Sequence, residues 1–175
     1  YQLIVPAALA TGVTLCVVEQ NLSGYMNTGG SAGTTGGAYN LSTDTTQFTY
    51  TDGVTYTGVN FADVAQSALY TDGAQQTQPG TTVTYAHQFF ACSEGVVSFS
   101  LSSVASPNTL LWSEVLYRDT DCDGILEAGE PIISGNYTVS ANSTICLIVK
   151  QFVPANATQG AFNVVTVSSS FIYDV

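Results

Sequence analysis

The stretch Asp119-Thr-Asp-Cys-Asp-Gly-Ile-Leu-Glu-Ala-Gly-Glu130, followed at once by Pro131-Ile-Ile-Ser-Gly135, separates the folds open to this chain. Asp119, Asp121 and Asp123 stand at loop positions one, three and five, and Gly124 at six, where the chain must turn sharply. Ile125 at seven would offer its backbone carbonyl, Glu127 at nine a water-bridged oxygen, and Glu130 at twelve a bidentate carboxylate. That is the oxygen-ligand spacing of a calcium loop. Five carboxylates in twelve residues repel one another unless a cation sits among them. A helix–loop–helix hand needs a helix leaving the site. Proline is tolerated in a first helical turn, but Gly135 and the β-branched pair Ile132-Ile133 favour an extended exit. The approach, Leu110 to Arg118, suits helix or strand. The loop is therefore read as joining two strands and stiffening the turn between them.

Strand patterns surround it. Thr81 to Ala91 puts Val83, Tyr85, His87 and Phe89 on one face. Val96 to Leu101, Leu110 to Arg118, Asn136 to Val139, Thr144 to Val153 and Ala161 to Ile172 follow, punctuated by Ser93-Glu94-Gly95, Ser106-Pro107-Asn108, Ser140-Ala141-Asn142 and Pro154-Ala155-Asn156. Regular short strands with such turns predict an all-β fold: an antiparallel β-sandwich, immunoglobulin-like or jelly-roll-like, occupying residues 19–175 as one domain. Nearer the start, Gln47 to Tyr56 alternates aromatic and Thr positions around Asp52-Gly53 and predicts a hairpin. Residues 21–46, rich in Gly, Ser, Thr and Asn, read as a loop.

Residues 1–18 carry no charged side chain. Gln2, Pro6, Thr11, Gly12 and Thr14 disqualify the run as a membrane helix. Period two fits better: Tyr1, Leu3, Val5, Ala7, Leu9, Val13, Leu15 and Val17 share a face, interrupted by Thr11. Fully extended, the run would span on the order of 55 Å, far beyond an ordinary strand. It reads either as one or two strands of the home domain or as an arm that inserts into a neighbouring subunit. In the second case Tyr1, Leu3, Val5, Ala7 and Leu9 are the donor-strand residues, since a donated strand supplies backbone hydrogen bonds to a sheet edge and side chains to pockets.

Composition narrows the function. The 175 residues suffice for a sizeable core, and 45% are hydrophobic, but only 9% are charged, well below the usual quarter. The net charge is −11, with Arg118 and Lys150 the sole basic residues. Such a chain cannot neutralise phosphates, and anionic membranes repel it. Four cysteines, Cys16, Cys92, Cys122 and Cys146, and a single histidine lack zinc spacing. They fit two disulfides in an exported chain. Three pairings are open, and Cys92–Cys122 with Cys16–Cys146 is favoured. Asn21, Asn40, Asn136, Asn142 and Asn156 head Asn-x-Ser/Thr sequons and are candidate glycan acceptors. Without a basic-then-apolar leader, Tyr1 reads as a processed start. Gly29-Gly30-Ser31-Ala32-Gly33 matches the nucleophile-elbow pattern by letter, but lacks the strand and helix that pattern needs. His87 reads as a strand residue and Trp112 as core. No catalytic constellation is present, so the chain is not expected to be an enzyme.

Gln78-Pro79-Gly80-Thr81-Thr82-Val83-Thr84-Tyr85, then Leu116-Tyr117-Arg118 leading into the Asp-rich loop, then Asn142 to Val153, follow one another in a familiar order. Over about residues 75 to 170 the chain resembles the conserved-repeat surface domain, of unknown function, of bacterial and archaeal envelope proteins. The loop itself is similar to those of dockerins and thrombospondin repeats. The resemblance implies an immunoglobulin-type sandwich carrying a strand–Asp-rich loop–strand element. That family usually occurs in tandem; here one copy stands alone, and Cys92, Cys122 and Cys146 are additions to its pattern. The architecture, a lone exported β-domain with an apolar arm, is also similar to donor-strand filament subunits such as archaeal threads and bundling pili. Together these readings predict an extracellular, cell-surface filament or pilus subunit whose partner is itself, with calcium as its ion. The alternative is a monomeric, calcium-stabilised adhesive or spacer module.

Overall fold

The computed structural model describes residues 1–5 and 8–174. Ala7, one of the expected donor-strand residues, lies outside them. The chain forms two compact units, Tyr1–Gln66 and Ser67–Val175. The boundary falls at 66/67, where the sequence reading expected one domain to run on from residue 19. The reason is that residues before it have strand partners of their own.

The first unit contains β1 (Thr14–Val18), β2 (Tyr25–Ala32), β3 (Ala38–Asn40), β4 (Thr45–Thr49) and β5 (Val59–Ala65), in sheets of order β1-β4-β3 and β2-β5. β1 runs antiparallel to β4, from Thr14 opposite Thr49 to Val18 opposite Thr45. The latter part of the apolar run is thus a strand of its own unit, and among the described residues of that run only those before Thr14 remain outside any sheet. The Gly-rich 21–46 region, expected to be a loop, holds β2 and β3. A Cβ on Gly30 would sit 2.5 Å from the Tyr39 ring. Glycine is therefore what lets the strands close over that ring. The hairpin expected across Gln47–Tyr56 is also replaced. β4 ends at Thr49, and the turn is closed by a side chain: the Tyr56 hydroxyl accepts the Thr51 N–H at 2.8 Å, and its ring lies 4.8 Å from that of Phe48.

The second unit contains β6 (Ala68–Tyr70), β7 (Thr82–Ala91), β8 (Gly95–Ser106), β9 (Ser113–Asp119), β10 (Asn136–Val139), β11 (Ser143–Phe152) and β12 (Phe162–Tyr173). Two antiparallel sheets, β6-β7-β11-β9 and β10-β8-β12, form the predicted sandwich. Period-two alternation sends Phe89, Ala91, Leu116, Ile145, Leu147 and Val149 from one sheet against Val97 and Val139 from the other. Phe89 meets Phe99 and Phe171 edge-on or tilted, at centroid separations of 5.5 and 5.7 Å. Burying each such side chain contributes about 1.5–3 kcal/mol, and this cluster is what holds the sandwich shut. β11 is buried on both faces, since Cys146 and Ile148 point opposite to Leu147 yet are as inaccessible. A segment must therefore cross its outer face, and that segment is the Asp-rich loop.

Candidate metal centre

β9 delivers the chain into the loop in extended form, and Asp119 is its last residue. After the loop the chain returns along β9: Arg118 N–H donates to Pro131 O at 2.9 Å, Ile133 N–H donates to Leu116 O at 2.8 Å, and Tyr117 faces Ile132 across an antiparallel bridge. The β-branched exit therefore extends, as Pro131 and Gly135 imply. Among the described residues no α-helix flanks the site.

Backbone N–H groups fix the carboxylates. Asp119 is 3% exposed, and its two oxygens accept the N–H groups of Cys122 (2.7 Å) and Gly124 (2.9 Å). Asp123 accepts Ile125 N–H at 2.7 Å, and Asp121 accepts Asp123 N–H at 3.4 Å. Gly124, at φ +79°, supplies the left-handed turn that folds the three side chains inward. Oxygens of Asp119, Asp121 and Asp123 come within 4.8 Å of one another. Burial, with a hydrogen bond to Asp119, pushes the Asp121 carboxyl above its usual range; the charges of Asp121 and Asp123 push up Glu127. The Glu127 displacement records carboxylates held closer than their charges favour, and that of Asp121 records burial first. A bound cation would reverse them. The all-oxygen donor set is that of a hard divalent ion.

Not every expected ligand joins this group. Glu130 spans the loop mouth, its two oxygens accepting Thr120 N–H and Glu127 N–H, each at 3.2 Å. Ile125 presents its N–H to Asp123 while its side chain is exposed.

The disulfide corrects both favoured pairings. Cys122 is joined to Cys146, with Cα atoms 5.4 Å apart, so neither Cys92–Cys122 nor Cys16–Cys146 exists. Register explains it. Cys146 lies opposite Asp119 on the adjoining strand, within reach of a cysteine three residues further on. Cys16 is an exposed thiol on β1 in the first unit. The bridge staples the loop to the outer face of β11. A Cβ on Gly124 would lie 3.5 Å from Ala86 Cβ, so the loop reaches as far as β7.

A second carboxylate group escaped the sequence reading. In the first unit, oxygens of Glu19, Asp44 and Asp63 also lie within 4.8 Å of one another. These residues follow β1, precede β4 and sit on β5, so pairing brings them together with no spacing motif. Asp44 is 7% exposed at φ +49° and accepts the Tyr39 hydroxyl at 2.8 Å. The Asn21 amide donates to Asp44 at 2.9 Å and accepts Asn27 N–H at 3.0 Å. That engagement sets Asn21 apart from the other sequon residues, Asn40, Asn136, Asn142 and Asn156, which are exposed. Burial first, then the charges of Asp63 and Asp44, push the Glu19 carboxyl up.

Ser31 of the elbow-like pattern lies at the end of β2 and accepts Gly33 N–H. His87 is a half-buried strand residue opposite Leu147. No helix among the described residues is long and apolar enough to cross a membrane. No family model, curated protein or solved structure matches the chain.

Proposed function

We propose that the chain is a structural subunit of an extracellular filament, assembled by strand donation between neighbouring copies and stiffened by calcium in the Asp119–Glu130 loop and by the Cys122–Cys146 bridge. The observation that carries this reading is the state of the N-terminal residues. Tyr1 to Val5 belong to no strand, and Leu3 and Ile4 are 64% and 86% exposed. An aliphatic side chain left in water forgoes about 1.5–3 kcal/mol of burial. A neighbour's sheet would recover it while satisfying backbone groups. Calcium is the ion chosen because the loop spacing and oxygen donors suit it, and a disulfide fits an oxidising, extracellular setting. Exposed sequons at Asn40, Asn136, Asn142 and Asn156 would carry any sugar outward.

Deleting residues 1–10 tests the reading. The expected result is folded monomer in place of fibres under negative-stain microscopy; fibres of normal appearance would end it. One contact favours the monomeric adhesive or spacer module instead: the Tyr1 hydroxyl donates to Val59 O at 2.7 Å, tying the first residue to its own unit. Light scattering at high concentration separates the two, since the module stays monomeric and the subunit does not.

A further inference from the structure

The inward positions of β11 read Ile145, Leu147, Val149, Gln151 and Val153 in continuation. The first three belong to the core cluster. At the fourth the pattern breaks. Gln151, opposite Val83 on β7, is only 3% exposed and is an amide where the alternation calls for an aliphatic side chain. Beyond it the sandwich opens into a pocket. A cavity of about 650 Å³ lies wholly within the second unit, lined by Val83, Tyr85, Trp112, Gln151, Val153 and Asn163 among others. Three of its lining residues hold a buried polar atom with no hydrogen-bond partner in the chain: Gln151 Nε2, Trp112 Nε1 and Asn163 Oδ1. Asn163 is oriented by its own amide nitrogen, which donates to Glu114 and leaves the oxygen unmatched. Buried donors and acceptors are almost always paired, so three unmatched ones in the walls of a single cavity mark a place where side chains can turn to meet a ligand.

The ligand must accept from two donors, donate to one acceptor and lie against the aromatic wall of Tyr85, Trp112 and Phe162. No charged side chain lines the cavity, so it need carry no charge. An extended peptide meets every requirement, because each residue offers one C=O and one N–H and its alternate side chains are apolar. A neutral sugar matches the polar groups as well; what favours the peptide is an exposed apolar segment within this same chain. Residues Tyr1–Val5 carry no charged side chain, lie outside any strand, and expose Leu3 and Ile4. We propose that this cavity is the acceptor for the N-terminal segment of a second copy of the chain, whose backbone pairs with Gln151, Trp112 and Asn163 as those side chains turn toward it, while its aliphatic side chains pack on Tyr85 and Phe162. This rests on the strand-donation reading and adds to it the place where the strand enters. Donation first releases the Tyr1–Val59 hydrogen bond.

Trp112 is the only tryptophan in the chain, so its fluorescence reports the cavity directly. The test adds a synthetic peptide of residues 1–10 to dilute full-length protein. The expected result is a saturable blue shift of Trp112 emission and reduced quenching by acrylamide, reproduced when the protein assembles without peptide. Gln151→Leu raises the half-saturation concentration about tenfold through loss of its donor; Asn163→Ala does the same should the first variant fold poorly, with circular dichroism confirming the fold. No emission change with peptide overturns the inference. So does an equal change with a scrambled peptide, or a saturable change with a neutral disaccharide and none with peptide. If the peptide fails here while deletion of residues 1–10 still stops fibre formation, strand donation stands and the acceptor lies elsewhere. If fibres form after the deletion, strand donation itself falls.

Discussion

Glu19 is the residue whose ionised state the fold most directly opposes. Its Oε2 is buried without a hydrogen-bond partner, and Asp63 and Asp44 face it. Both burial and charge raise its folded pKa above the ordinary 4.5, so the folded chain holds this proton more tightly than the unfolded chain does. Stability then falls as pH rises through the window from 4.5 to the raised folded value; the penalty is absent below that window and complete above it. Asp121 and Glu127 carry the same sign. In chelator, Glu19→Gln is expected to raise the melting temperature at neutral pH and to flatten the slope just above pH 4.5. Thermal melts of both proteins across pH 4 to 8 check this, and parallel curves would remove Glu19 from the account. Cys122 and Cys146 differ in kind, because their effect lies in the unfolded chain. They close a loop with a sequence separation of 24, for which chain entropy gives about 3 kcal/mol. Cys122→Ser is expected to lower unfolding free energy by that order in denaturant titration, with wild type in reductant matching it.

At the level of elements, the loop and β11 depend on each other. The loop covers the outer face of β11 through the disulfide and through Gly124 against Ala86, so whatever orders the loop also seals Cys146 and Ile148. A divalent ion at a hundred times its dissociation constant would add about 2.7 kcal/mol by mass action. Chelation is therefore expected to lower the melting temperature, and Asp121→Ala with Asp123→Ala should melt alike with and without calcium; a double variant that still responds would move the ion to another group, such as Glu19, Asp44 and Asp63. The loop and the strands from Thr82 onward were legible because their signals are local. Fixed spacing betrays the cluster of Asp119, Asp121 and Asp123, and alternation betrays β7 to β12. β2 is hidden because Gly30 makes room for the Tyr39 ring, and composition cannot tell a glycine that makes room for an aromatic from one that loosens a loop. The hairpin at Asp52-Gly53 was misjudged because Tyr56 closes the turn with its hydroxyl, and β4 was left free to pair with β1 and β3. The true disulfide depends on which strand adjoins β9, and the second carboxylate group on how β1, β4 and β5 are brought together; spacing encodes neither.

For the molecule as a whole, a net charge of −11 with two basic residues sets the terms of association. Copies brought side by side repel, and the repulsion weakens with ionic strength because the Debye length shrinks from about 30 Å at 0.01 M to about 8 Å at 0.15 M. For copies that assemble as proposed, simple salt is therefore expected to lower the concentration needed. A bound divalent ion acts differently, cancelling charge at the loop in a way that screening cannot imitate. At matched ionic strength calcium is expected to promote assembly more than sodium does, and Asp121→Ala with Asp123→Ala should lose most of that excess. The variant itself carries two fewer charges and so should assemble at lower salt than wild type in chelator. Light scattering against salt, with and without calcium, reads both effects in one experiment. If calcium and sodium prove equivalent at equal ionic strength for wild type, the loop ion has no part in joining copies, and its role contracts to holding one turn of one sandwich.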